Sequence, residues 1–146
     1  MNKDLVSKLN KYLANIAVMY VKTHNLHWNV VGKNFKAVHE YLESIYDDLA
    51  ESFDAVAEAL KMHGEQPVAS LAGYLELATV KEIPSEEICS CKAFEIVKAD
   101  LTELKAQGEA ICAACDSGDL SDVVAVVEED LGKFTKAIWF ITATLK

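Results

Sequence analysis

Apolar residues recur with a spacing close to 3.6 over four long stretches of this chain, and polar positions fill the opposite arcs. The first stretch carries Leu5, Leu9, Leu13, Ile16, Tyr20 and Thr23 on one face. Asn2 or Asp4 suits its N-cap, and it is expected to run to about residue 31. The second carries Phe35, Val38, Leu42, Ile45, Leu49, Phe53, Val56 and Leu60, with no Gly or Pro between Phe35 and Met62. Gly32-Lys33-Asn34 links the two, Gly32 suited to the left-handed conformation that ends a helix and Asn34 to capping the next. So short a link makes these helices antiparallel neighbours. A third helix starts between Ser85 and Cys91 and runs to about residue 116, with Phe94, Val97, Leu101, Leu104 and Ile111 inward and Gly108 at a close-packing position. After a break at Ser117-Gly118-Asp119, a fourth carries Leu120, Val124, Val127, Leu131, Phe134, Ile138, Ile141 and Leu145. The connection 64–85 holds one short apolar helix near 70–78, capped by Ser70. A link this long lets the third helix run parallel to the second. The pattern therefore predicts an all-α four-helix bundle with a short extra helix between helices 2 and 3.

Composition sets limits on partners. At 146 residues and 51% apolar, with two prolines and six glycines, the chain reads as one folded domain over 1–146. The net charge of −9 comes from 23 acidic against 14 basic residues, and every base is lysine. Such a surface lacks both the positive field that binds nucleic acid and the arginines that read guanine. No secretory signal is visible and no apolar run is long enough to span a bilayer, so a cytoplasmic protein is expected.

The candidate chemistry lies on the second helix. His39, Glu43, Asp54 and Glu58 fall in one sector turned away from the core stripe, and each pair four residues apart can present two groups to one point. His39 and Asp54, however, are separated by about 22 Å of helix axis. No single ion reaches both along one straight rod. The two halves meet only if a second copy of this helix lies antiparallel across a two-fold axis, which makes two equivalent metal sites at one isologous interface. Imidazole with several carboxylates suits Fe, Mn or Zn better than Ca or Mg. A solvated acidic face that includes Glu40, Asp47, Asp48 and Glu51 is the competing reading. His27, on the continuation of the first apolar face, reads by periodicity alone as a core or boundary histidine.

The run His27-Trp28-Asn29-Val30-x-Gly32-x-Asn34-Phe35, followed by His39-Glu40 and Asp54-x-x-x-Glu58, resembles the signature of the Dps family, the mini-ferritins. The resemblance implies a ferritin-like four-helix subunit in a hollow twelve-subunit cage with a di-iron ferroxidase centre shared between two subunits. His27, His39 and Glu43 would bind iron together with Asp54 and Glu58 of the neighbour. Many relatives carry Asp at the position of Glu43, one methylene shorter. Trp28 matches a family aromatic beside the centre, expected as a local electron source or radical trap. The implied function is oxidation of ferrous iron, preferably with hydrogen peroxide, and storage of the ferric product, which protects DNA and the cell from oxidative damage. Family pores for ferrous iron correspond to the start of the fourth helix, which brings forward Asp119 and Asp122; an acidic helix start matched to the dipole is the alternative there.

A DNA-compacting protein with a vestigial metal site is the rival function. Some relatives grip DNA with a basic tail, whereas here only Lys3, Lys8 and Lys11 are available, so direct DNA binding is expected to be weak or absent. His24 is expected at the surface or behind the ligands, and His63 as a charge matched to a helix C-terminus. Cys89 and Cys91 lie too far from Cys112 and Cys115 to form one four-thiolate site within the chain; reduced, partly buried thiols are expected.

Overall fold

The computed structural model describes residues 1–115 and 120–146. Its elements are α1 (Lys3–Asn29), β1 (Val30–Val31), α2 (Phe35–Met62), α3 (Leu71–Leu77), β2 (Ile88–Cys89), α4 (Ser90–Ala114) and α5 (Ser121–Thr144). The Asn2 side chain accepts from the Leu5 amide at 2.9 Å and starts α1, so Lys3, Lys8 and Lys11 all lie within the helix. Helix α1 packs on α2 and α4 on α5, around a core of Leu5, Leu9, Leu13, Leu42, Leu49, Leu101, Leu104 and their neighbours, each at most 1% exposed.

Helix α1 stops two residues short of the expected end. Val30 and Val31 turn extended and pair in parallel with Ile88 and Cys89, which leaves them no part in a helix. This bridge places the end of α1 beside the start of α4. The segment after α2 must therefore climb back along the bundle, and α4 runs parallel to α2 as expected. Three asparagines of α1 hold that climbing segment like rungs. The Val68 amide donates to Asn10 at 2.6 Å, the Thr79 and Val80 amides to Asn15 at 2.8 and 2.9 Å, and Asn25 donates to the Ile83 and Pro84 carbonyls. Ser70 caps α3 through the Gly73 amide, as expected.

Other expectations need correction. Asn34 makes no side-chain cap; its own backbone takes the left-handed conformation, φ +63°, which asparagine tolerates better than most residues, and Gly32 sits beside it at φ +102°. Tyr20 and Phe35, counted with the apolar stripes, are exposed. On α5 the buried face is Val123, Val127, Asp130, Phe134, Ala137 and Ile141, while Val124, Leu131 and Ile138 are only half-buried. The buried line runs through Asp130 and Ala137, which a stripe of large apolar residues passes over. Gly108 is close-packed as expected: a Cβ there would stand 2.9 Å from Leu131.

Candidate metal centre

His27 lies in the last turn of α1, buried, and His39 in the second turn of α2. The short hairpin between them brings the two imidazoles face to face, with centroids 3.6 Å apart and planes 21° from parallel. Each ring is held by the other residue's backbone. His27 Nδ1 donates to the His39 carbonyl and His39 Nδ1 donates to the His27 carbonyl, both at 2.8 Å. A carbonyl only accepts, so Nδ1 carries the proton on both residues, and in the neutral rings both Nε2 atoms present lone pairs. Glu43, one turn beyond His39 and exposed, completes a group of three whose donor atoms lie within 4.8 Å of one another. Among the described residues this is the only such group of His, Cys, Asp or Glu. Its donors, two oriented imidazole nitrogens and a carboxylate, suit a divalent transition metal.

Asp54 and Glu58 are not part of this group. They sit further along the exposed side of α2, Asp54 about 16 Å of helix axis beyond Glu43. Their side chains have no hydrogen-bond or ion-pair partner among the described residues. Nearby acids are otherwise engaged: Lys133 reaches Glu51 at 2.9 Å, Glu129 at 3.1 Å and Asp48 at 3.9 Å.

An aromatic group adjoins the centre. Tyr46 lies edge-on to His27, centroids 5.2 Å apart, and stacks on His24 at 3.7 Å with planes 20° apart. His24 donates from Nδ1 to the Tyr20 carbonyl at 2.9 Å, and its ring stands 5.3 Å from that of Trp28. Trp28 is 69% exposed. Partial burial, and after it the charge of Glu43, raises the pKa of the Tyr46 phenol. Neither Tyr46 nor His24 was singled out as a site residue from the sequence. The spacing carried a signal nonetheless, since Tyr46 stands two turns after His39 on the same face of α2 and His24 one turn before His27.

At the far end of the bundle, Asp122 pairs with His63 at 2.9 Å. The hydrogen bond from His63 holds the Asp122 carboxyl below its ordinary pKa. His63 thus has a tertiary partner in α5 in addition to its helix end. Asp119 lies outside the described residues. Burial pushes the Cys112 thiol up, the opposite of activation. Among the described residues, no helix is long and apolar enough to cross a membrane.

Residues 6–146 match the family model for the ferritin-like domain. Antigen TpF1 of Treponema pallidum is 38% identical over 144 residues, covering 97% of this chain and 80% of that protein, and its crystal structure superposes with a TM-score of 0.93 over 98% of this chain and 92% of that one. The DNA protection during starvation protein of Brevibacillus brevis is 33% identical over 141 residues, covering 94% of this chain and 92% of the relative. The Dps protein of Vibrio cholerae, described as a member of a broad superfamily of ferritin-like diiron-carboxylate proteins, is 30% identical with a TM-score of 0.91, covering 99% of this chain and 90% of that one. A bundle with His27 and His39 at the α1–α2 hairpin, matched over nearly its whole length by these proteins, belongs to the Dps family of ferritin-like proteins, the mini-ferritins.

Proposed function

We propose that this protein is a ferroxidase that oxidises ferrous iron with hydrogen peroxide and stores the ferric product inside a closed homo-oligomer, a twelve-subunit cage in the cytoplasm. The observation that carries this reading is the reciprocal His27 and His39 pairing, which aims two imidazole lone pairs and the Glu43 carboxylate at one place. Three donors leave an iron ion undersupplied. Asp54 and Glu58, exposed and without side-chain partners among the described residues, supply the rest from a neighbour whose α2 runs antiparallel. The apolar hollow of about 370 Å³ lined by Ala17, Tyr20, Val21, Ala50, Leu71, Tyr74 and Phe53, the residue before Asp54, supports burial of this face against a second copy.

Iron is the substrate. Two ferrous ions each give one electron to one peroxide, whose O–O bond breaks as the ferric product hydrolyses and releases protons. His27 and His39 hold the metal as neutral ligands; Asp54 and Glu58 bring the negative charge that favours the ferric state, and Glu43 serves a second, weaker position. Trp28, exposed beside the centre, is an electron source or radical trap. Asp122, with Asp119, guides ferrous iron inward. Direct DNA binding is weak or absent, in keeping with a charge of −9 and no arginine. DNA is then protected by removal of iron and peroxide together. The test is His39→Ala and Asp54→Ala: each is expected to abolish peroxide-driven ferrous oxidation, followed by ferric absorbance, while the assembly keeps its size in solution. Parental rates in both variants would refute the assignment.

A further inference from the structure

We infer that Tyr46 gives the second electron to hydrogen peroxide when the centre holds a single ferrous ion, and that its radical passes through the His24 ring to Trp28. The inference rests on the reading of His27, His39 and Glu43 as iron ligands. Peroxide takes up two electrons, and one ferrous ion supplies one. Without a second donor at hand, the O–O bond breaks to a hydroxyl radical. Two rings touch the ligand imidazoles from outside the pair. Phe35 stands 5.2 Å from His39 and has no hydroxyl proton to lose, whereas Tyr46 stands 5.2 Å from His27, edge-on at 89°, and has one. Among the described residues, Tyr46 is thus the oxidisable ring in contact with the pair. The array continues outward: Tyr46 stacks on His24 at 3.7 Å with planes 20° apart, and His24 stands 5.3 Å from Trp28. Electronic coupling falls steeply with every gap, so an electron crosses stacked rings more readily than one longer jump. Imidazole yields an electron less easily than phenol or indole, which makes His24 a bridge and Tyr46 and Trp28 the two stations. His24 is kept in the stack by its hydrogen bond to the Tyr20 carbonyl.

In the first step the ferrous ion and Tyr46 give one electron each, and Tyr46 also releases its phenolic proton. That proton and one from the solvent convert peroxide to two waters, leaving ferric iron and a neutral tyrosyl radical. In the second, Trp28 gives an electron to Tyr46, which takes back a proton as the indole N–H releases one to the solvent. The phenol is restored and the unpaired electron rests on Trp28.

The experiment loads the assembled protein anaerobically with one or two ferrous ions per site, mixes it with hydrogen peroxide and freezes it rapidly for electron paramagnetic resonance. Ring-deuterated tyrosine or tryptophan, incorporated in parallel samples, assigns the signal. The parent is expected to show an organic radical at one ion per site and much less at two, when iron supplies both electrons. Tyr46→Phe keeps the ring and its stacking, and it is expected to lose the tyrosyl and the tryptophanyl signals together. Trp28→Phe is expected to keep the tyrosyl signal and prolong it. A signal of parental size in Tyr46→Phe, one that does not fall at two ions per site, or a tyrosyl lifetime unmoved by Trp28→Phe would overturn this inference alone. So would the absence of any radical in a parent whose iron oxidation is abolished by His39→Ala. If His39→Ala oxidises iron at the parental rate, the reading of the site fails and takes this inference with it.

Discussion

Asp130 lies 3% exposed in the wall of the bundle, accepting hydrogen bonds from the Ser52 and Tyr12 hydroxyls. Burial raises its pKa, and the two hydroxyls, with Lys133 nearby, only partly offset that. A carboxyl with a higher pKa folded than unfolded binds its proton more tightly in the folded state. Its favourable contribution is therefore complete below the unfolded value and is lost as pH rises through the folded one. Asp130→Asn, which cannot ionise, is expected to melt higher than the parent at neutral pH, with the gap closing as pH falls through the raised folded value towards the unfolded one near about 4. Thermal scans across that range check it, and a gap that widens on acidification would contradict the assignment. Lys22 and Asp100 show the other solution to a buried charge, an ion pair at 2.7 Å linking α1 to α4. Neither arrangement was legible in the sequence, because a charged residue one turn from an apolar one reads as the edge of a solvated face until its tertiary partner is known.

At the scale of elements, the four long helices were legible because each repeats its apolar period over many turns, and the short helix because Ser70 marks its start. What escaped were features set by few residues or by distant ones. The two-residue bridge between Val30–Val31 and Ile88–Cys89 is too short to leave a period, and it ends α1 through a partner nearly sixty positions away. Asn34 looked like a cap because side-chain type predicts capping better than it predicts left-handed backbone. The asparagine rungs carry a prediction of their own. In Asn15→Ala the Thr79 and Val80 amides lose their acceptor, and the buried Val80 donor is left unsatisfied at a cost of about 1–3 kcal/mol. Hydrogen exchange at those two amides is expected to accelerate while amides in the middle of α5 keep their protection. Equal protection in parent and variant would show that the crossover is held by its apolar contacts instead.

For the whole molecule, what the sequence shows most plainly is a deficiency: the helix that carries His39 and Glu43 also carries Asp54 and Glu58, and one straight helix cannot fold back to join them. The motif spacing brings forward both halves of the proposed site, whereas Tyr46 and His24, which pack beside His27, depend on the packing of α1 on α2. The proposed sharing between copies has a consequence that separates it from any site built within one chain. An oligomer of His39→Ala alone damages the imidazole half of every site, and one of Asp54→Ala alone damages the carboxylate half. In a dimer of one of each, one site collects both defects and the other receives His39 and Asp54 intact. If the two variants are unfolded together in equal amounts and reassembled, half of the dimers are mixed and each holds one intact site of two, so about a quarter of all sites are restored. Peroxide-driven ferrous oxidation by the mixed assembly is expected to recover to about a quarter of the parental rate, while either variant reassembled alone stays inactive. A site completed within one chain gives no recovery at any mixing ratio, and a recovery that tracks the fraction of mixed dimers has no source other than ligands donated across the two-fold axis.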